Sequence, residues 1–307
     1  MLRILISFVF IFSTATARAS LARPSMSPVT VDSPRNIQEL SSGVCSIGAG
    51  KAGGSCCTGF RIGPNQIMTN FHCLGCVNSV FQKISGATPF MMRPSTFMYS
   101  IGNAPLSYRE EIMRRVNLDP KFRSYNLTAD DIPKNNNDLK NLLNKLPDEM
   151  NYINFNTVVG FSDLESTSLR IESIEQANDR LDYAIINVEE IKEDSYIFEL
   201  QKNKIEKDKK LIIIGHPHGG PNPDKKAFDI TKNCKIFATD FDSYQRDSVF
   251  SHGCDTLPGN SGSPIIERST NKVIGIHWGK NEHYNVNLGI DMTAILIFEL
   301  PSKDSWQ

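Results

Sequence analysis

The sequence has almost no net charge, no internal repeat and, beyond its first residues, no long apolar run. A formal net charge of −1 gives nucleic acid or an acidic membrane surface no electrostatic hold, so neither is expected as a partner. The missing repeat argues against stacked solenoid or propeller units. Without a further apolar stretch, nothing in the mature chain approaches the ~20 residues a membrane-spanning helix needs. What remains is ordinary: 40% hydrophobic and 22% charged residues over 307 positions, enough for one large core or two smaller ones.

The first residues are different. Arg3 precedes an apolar run from Ile4 to Phe12, broken only by Ser7, and then come Ala15-Thr16-Ala17 and Ala17-Arg18-Ala19. A positive start, a short apolar stretch and small residues at a cleavage site describe a secretory signal peptide over residues 1–22. The Pro- and Ser-rich stretch from Arg23 to Pro34 reads as part of a propeptide or extended N-terminal arm, residues 23–40. Export makes disulfides plausible among Cys45, Cys56, Cys57, Cys73, Cys76, Cys234 and Cys254. Seven is odd, so at least one thiol is free or paired between chains. Cys73-x-x-Cys76 also has zinc-ligand spacing, but the adjacent pair Cys56-Cys57 is a poor first half for such a site. No metal is expected.

Short β-like runs bounded by glycine begin near Ser41: Gly43 to Gly48, Cys57 to Ile62 and Gln66 to Thr69, with Gly63-Pro64-Asn65 as a hairpin turn. Residues 93–151 break the pattern. Tyr108 to Val116 has helical character, and so has Asp138 to Leu146, whose leucines recur at three and four positions. This segment reads as a partly helical insertion on a β scaffold. Strand-like runs resume at Tyr152–Val159, Ser168–Ile174, Tyr183–Val188, Leu211–Ile214, Lys235–Thr239, Pro264–Ile266 and Lys272–His277. Many short strands with Gly and Pro turns indicate an all-β barrel or sandwich.

Three segments carry the chemistry, in the order His, Asp, Ser. Cys254-Asp255-Thr256-Leu257-Pro258-Gly259-Asn260-Ser261-Gly262-Ser263-Pro264 has the glycines a tight nucleophile turn requires, because only glycine accepts positive φ without strain. Alone, it could also be just a glycine-rich hairpin turn. Met68-Thr69-Asn70-Phe71-His72-Cys73 puts a histidine at the end of an apolar strand, and Leu181-Asp182-Tyr183-Ala184-Ile185-Ile186 puts an acid before a buried one. Singly, such residues are usually structural; together each fits a role the others need.

These segments resemble the motifs of the trypsin-like serine peptidases, T-A-A-H-C, D-[IYF]-A-L and G-[DN]-S-G-[GS]-P, in the same order. The resemblance runs from about Ser41 to Phe298, excluding the insertion, and implies a peptidase domain over residues 41–300 built as two antiparallel six-stranded β-barrels. It implies that Ser261 is the nucleophile, His72 the base and Asp182 its orienting acid. The N–H groups of Gly259 and Ser261 would form the oxyanion hole. The family's disulfide beside the histidine implies Cys57–Cys73; Cys234 and Cys254, on neighbouring expected strands, make a second bridge. Partners of Cys45, Cys56 and Cys76 stay open.

The run Val273-Ile274-Gly275-Ile276-His277-Trp278-Gly279 is similar to that of the bacterial glutamyl endopeptidases. This implies His277 and Thr256 as contacts for a substrate Glu or Asp side chain, with Trp278 and Gly279 bordering the cleft. His277 could instead simply pack beneath it. Ile214-Gly215-His216-Pro217-His218-Gly219 resembles the family's turn after a barrel strand, so His216 and His218 are expected as turn residues. His252 and His283 are expected at the surface or in loops. The expectation is a secreted endopeptidase acting on proteins or peptides without a cofactor. The rival is the same fold made catalytically silent and used as a binding protein or toxin.

Overall fold

In the computed structural model, residues 26–48, 55–74, 102–118, 126–135, 138, 141–142, 152–155, 167–178, 181–191, 194–217, 226–241 and 248–299 are described. The signal segment, residues 1–22, lies outside them. Two antiparallel sheets dominate, so the class is all-β.

The first sheet is a closed six-stranded barrel in the order β2-β3-β4-β7-β6-β5. Its strands are β2 (Val44–Gly48), β3 (Ser55–Arg61), β4 (Gln66–Thr69), β5 (Tyr152–Phe155), β6 (Thr167–Asn178) and β7 (Tyr183–Val188). The Gly63-Pro64-Asn65 turn closes the β3–β4 hairpin, with Phe60 opposite Met68 and Arg61 opposite Ile67.

The second sheet has eight strands where six were expected. They are β1 (Ser27–Pro28), β8 (Leu211–Gly215), β9 (Ala227–Asp229), β10 (Ile236–Ala238), β11 (Val249–His252), β12 (Pro264–Glu267), β13 (Val273–Asn281) and β14 (Val286–Asp291). Their order is β1-β9-β8-β12-β13-β14-β11-β10. The sheet curls until β10 returns to β8: Lys210 bridges Lys235, and Leu211 N–H donates to the Cys234 carbonyl at 2.9 Å. The surplus at the other end comes from the N-terminal arm, whose Ser27 and Pro28 pair with Phe228 and Ala227. The arm continues into helix α1 (Arg35–Ser42), which buries Ile37 and Leu40. This part of the arm is packed into the body.

Period-two alternation divides the side chains between three cores. Cys45, Ile47, Ile67, Ala184 and Ile186 fill the first barrel. Leu211, Ile213, Phe250 and Ile265 fill the second. Their neighbours Val44, Phe60, Met68, Tyr183, Ile185, Ile212, Ile214 and Ile266 face the other way and form one core between the sheets. Strands buried on both faces read as continuous apolar runs, which is how Tyr183–Val188 and Leu211–Ile214 look in the sequence.

Part of the insertion is described. Helix α2 (Leu106–Asn117) covers the residues expected to be helical from Tyr108 to Val116. Its Ile112, Met113 and Val116 join Leu127, Ile132 and Leu142 in the first-barrel core, so this part of the insertion completes the barrel it interrupts. Of the second expected helix only residues 138, 141 and 142 are described, all helical. A last helix, α3 (Met292–Glu299), buries Met292 and Ile295 against the inter-sheet core.

The segment linking the barrels is held by a buried cation. Arg61, at the end of β3, donates to the Ser195 carbonyl at 2.9 Å and to its hydroxyl at 2.7 Å. The same guanidinium reaches the carbonyls of Gly63 at 3.1 Å and Pro64 at 2.9 Å. Arg61→Met keeps the apolar stem but leaves buried carbonyls without this donor, each costing about 1–3 kcal/mol. The urea midpoint should therefore fall by the equivalent of roughly 2–4 kcal/mol at constant slope. An unchanged midpoint contradicts the clamp.

Candidate active site

The residues singled out from the sequence lie on or beside strands of both sheets. His72 lies in a single 3₁₀ turn, Phe71–Cys73, immediately after β4. Asp182 immediately precedes β7, which pairs with β4 through Thr69 and Ala184. Neighbouring strands therefore deliver the imidazole and the carboxylate to one place. Asp182 is fully buried and has φ of 53°, a left-handed conformation that Asp tolerates better than most residues. Its Oδ2 lies 2.8 Å from His72 Nδ1, and its Oδ1 accepts the His72 backbone N–H at 3.0 Å. Asn70 Nδ2 donates to the Asp182 carbonyl at 2.9 Å, which fixes the turn.

Burial alone would lower the His72 pKa, but the charge of Asp182 and the hydrogen bond to it outweigh burial and raise it above the ordinary 6.5. The carboxylate thus sets both the direction and the basicity of the ring.

Ser261 is half-buried at the start of the turn into β12. Thr58 N–H donates to its carbonyl at 2.8 Å, and Cys73 Sγ lies 3.6 Å from the same oxygen. Because Cys73 follows His72 in the chain, this contact brings the serine turn against the 3₁₀ turn that carries the imidazole. The Cys57–Cys73 disulfide ties the 3₁₀ turn to β3. Cys234–Cys254 pins the start of the serine segment to the approach to β10. Gly259 and Gly262 have φ of 96° and 87°, the region that favours glycine. At Gly262 space forbids a side chain as well, since a Cβ would meet the Thr58 carbonyl oxygen at 2.0 Å. Among the described hydrogen bonds none uses the N–H of Gly259 or of Ser261.

On β13, His277 is buried, while Trp278 and Gly279 are half-buried. A Cβ at Gly279 would meet nothing within 4 Å, so the strand borders open space there. Thr256 is half-buried in the segment leading to Ser261. His277 Nδ1 is paired with His252 Nε2 at 3.3 Å, the rings meeting edge to face. Burial pushes His277 well below the ordinary value, helped by the neighbouring His252 and His72. Burial likewise lowers His252, to about 3. Both rings are therefore neutral near pH 7.

His252 corrects the expectation of a surface or loop position. It closes β11, fully buried, opposite Ile236 and Asn287. A lone histidine at the end of a four-residue strand leaves no periodic signal. The nearest sequence hint is Val249-Phe250 just before it. His283 is exposed in the β13–β14 turn, its ring edge-on to Tyr284. His216 follows β8 fully buried and is held neutral by burial and by Lys226; His218 lies outside the described residues, as does Cys76.

Among the described residues two clusters have metal-binding composition, Cys57-His72-Cys73 and Asp229-Cys234-Cys254. In each, both cysteines belong to a disulfide, so neither offers thiolates. Cys45 is a buried free thiol among the described residues, and burial pushes it up to about 12. It packs as a small apolar side chain.

Residues 144–276 match the family model of the trypsin-like peptidase domain. Among solved structures, a Glu endopeptidase in complex with MPD superposes with a TM-score of 0.50 and 15% identity, covering 90% of this chain and 94% of that one. The fold is that of the trypsin-like serine peptidases. A serine endoprotease from Yersinia pestis is more distant, with a TM-score of 0.44 and 9% identity over 85% of this chain and 62% of that one. No curated protein matches the chain in sequence. The trypsin-like family match takes in Asp182 and Ser261 but begins after His72 and stops before His277. The histidine half of the candidate site therefore rests on this chain's own geometry. No helix among the described residues is long and apolar enough to cross a membrane.

In an NMR titration His72 should ionise above 6.5. Asp182→Asn should drop it below that value, because burial then acts against a neutral partner. A His72 titration indifferent to this substitution contradicts the pairing.

Proposed function

We propose that the chain is a secreted serine endopeptidase that cuts proteins or peptides through an acyl-enzyme. Ser261 Oγ attacks the scissile carbonyl carbon while His72 Nε2 takes its proton. Asp182 holds the Nδ1–H and stabilises the imidazolium that forms. The carbonyl oxygen, now negative, is received by the N–H groups of Gly259 and Ser261, donors worth about 2.7–4 kcal/mol each in sites of this kind. Collapse expels the amine, which leaves with the proton from His72. A water then repeats the sequence against the ester and frees Ser261. Every step uses a side chain or amide of this chain, so the reaction requires no cofactor.

The observation that carries this reading is the His72–Asp182 pair, 2.8 Å apart, beside a turn whose Ser261 carbonyl lies 3.6 Å from Cys73 Sγ. Secretion is supported by the signal-like first residues and by two disulfides, which persist in oxidising compartments. Ser261→Ala should lower kcat by roughly 10⁴-fold or more while the fold survives. Near wild-type turnover in that variant would overturn the assignment. Because the base must be neutral, kcat/KM should rise with pH through the raised pKa of His72. The acid limb should therefore lie above 6.5.

The buried His277 favours a preference for Glu or Asp before the scissile bond. In the tautomer in which His252 Nε2–H donates to His277 Nδ1, the neutral His277 ring carries its own proton on Nε2, which an arriving carboxylate can accept without prior repulsion. The carboxylate in turn favours the charged imidazole, so binding an acidic side chain should draw a proton into the site. Thr256 is proposed as a second polar contact, and Trp278 and Gly279 as the cleft border. Profiled on a peptide library, the enzyme should cut after Glu in preference to Gln. His277→Leu should erase at least ~30-fold of that preference. A flat profile at this position removes the acidic specificity and leaves the serine mechanism standing.

A further inference from the structure

We propose that Thr58, on the first barrel, is a positioning residue that sets the oxyanion-binding geometry of the Ser261 turn on the second; the assignment rests on the serine peptidase reading above. Thr58 is fully buried, and all of its polar groups are engaged. Its N–H donates to the Ser261 carbonyl at 2.8 Å. Its hydroxyl donates to the Gly259 carbonyl at 2.8 Å and accepts the His216 N–H at 2.9 Å. Its own carbonyl accepts the Thr69 hydroxyl at 2.7 Å.

The consequence follows from peptide planarity: in a trans peptide the N–H points opposite the C=O, so fixing one fixes the other. Thr58 turns the carbonyls of Gly259 and Ser261 inward toward the first barrel. The N–H groups on the far sides of those two peptides are also held, Asn260 N–H to the Leu257 carbonyl at 3.1 Å and Gly262 N–H to the His277 carbonyl at 2.9 Å. Between them lies the Asn260–Ser261 peptide, whose carbonyl accepts Ser263 N–H at 2.9 Å. With both flanking planes pinned and its own carbonyl engaged, that peptide can direct the Ser261 N–H only away from the interior. Thr58 controls this orientation from outside the turn, through one hydroxyl and one amide.

Threonine suits the task. The hydroxyl must donate and accept at once, which valine cannot do, and the branched side chain holds χ1. The turn also packs against Thr58 directly, because the space a Gly262 Cβ would need is filled by the Thr58 carbonyl. Adjacent residues of β3 thus address both halves of the site: Cys57 is bonded to the histidine turn and Thr58 to the serine turn.

Steady-state kinetics on a peptide with Glu before the scissile bond, with wild type, Thr58→Val, Thr58→Ser and Ile236→Val, test the assignment. Ile236 is a buried second-barrel core residue outside the turn and serves as a control for lost stability. Thr58→Val should lower kcat by at least ~30-fold with KM within about threefold, as for loss of an interaction made mainly in the transition state. Thr58→Ser should restore kcat to within about threefold of wild type. Ile236→Val should keep kcat at a comparable loss of thermal midpoint. If Thr58→Val does not fold, Thr58→Ala takes its place with the same expected split. Wild-type kcat in the folded Val or Ala variant overturns the positioning role, as does an equal kcat loss in Ile236→Val. A wild-type chain that cleaves no peptide overturns the peptidase reading itself, and this assignment with it.

Discussion

Strand β3 stands at the seam on which both halves of the site depend. Two sheets, each with a lumen of its own, must meet with side chains from opposite walls placed to hydrogen-bond accuracy. Apolar packing between them is not directional enough for that. β3 supplies direction at successive positions. Cys57 is bonded to the turn that carries His72, Thr58 hydrogen-bonds to the turn that carries Ser261, and Arg61 clamps the segment joining the barrels. Phe60 points into the inter-sheet core, edge-on to Phe198 at 5.7 Å between ring centroids. Covalent, polar and apolar constraints thus converge within five residues of one strand.

Electrostatics separates the histidines by role. His72 has a buried carboxylate as partner, and its pKa rises. His216, His252 and His277 have none, and burial depresses all three. For the latter the unfolded chain takes up protons that the folded chain refuses. Stability from these three is complete above about pH 6.5 and is lost as pH falls below it. His72 has the opposite sign: its contribution is complete below its unfolded value and fades as pH rises through the raised folded one.

Much of this was legible in the sequence, and the reasons are local. Gly259 and Gly262 mark a turn that needs positive φ, and Gly63-Pro64-Asn65 marks a hairpin; both signals lie within a few residues of what they specify. The first barrel could be read from β2, β3, β4 and β7, whose apolar runs are bounded by turn residues. Less visible were elements whose order comes from distant partners. β14, Val-Asn-Leu-Gly-Ile-Asp, carries Asn and Gly that disfavour a strand, yet it is held between β11 and β13. The arm looked merely extended because Pro and Ser dominate it, but Val29, Ile37 and Leu40 complete the inter-sheet core and Ser27–Pro28 join a sheet edge. His252 was missed because its meaning lies in His277, twenty-five positions away. Long-range pairing, rather than local propensity, decided these cases.

The proposed role of the seam is to activate one particular hydroxyl. Treating the folded protein with a fluorophosphonate and mapping the adduct by peptide mass spectrometry tests this most directly, since only a serine with a positioned base reacts quickly. A single adduct on Ser261, lost in His72→Ala, is the expected result. A folded protein that stays unmodified, or one labelled on Ser263 instead, would contradict it.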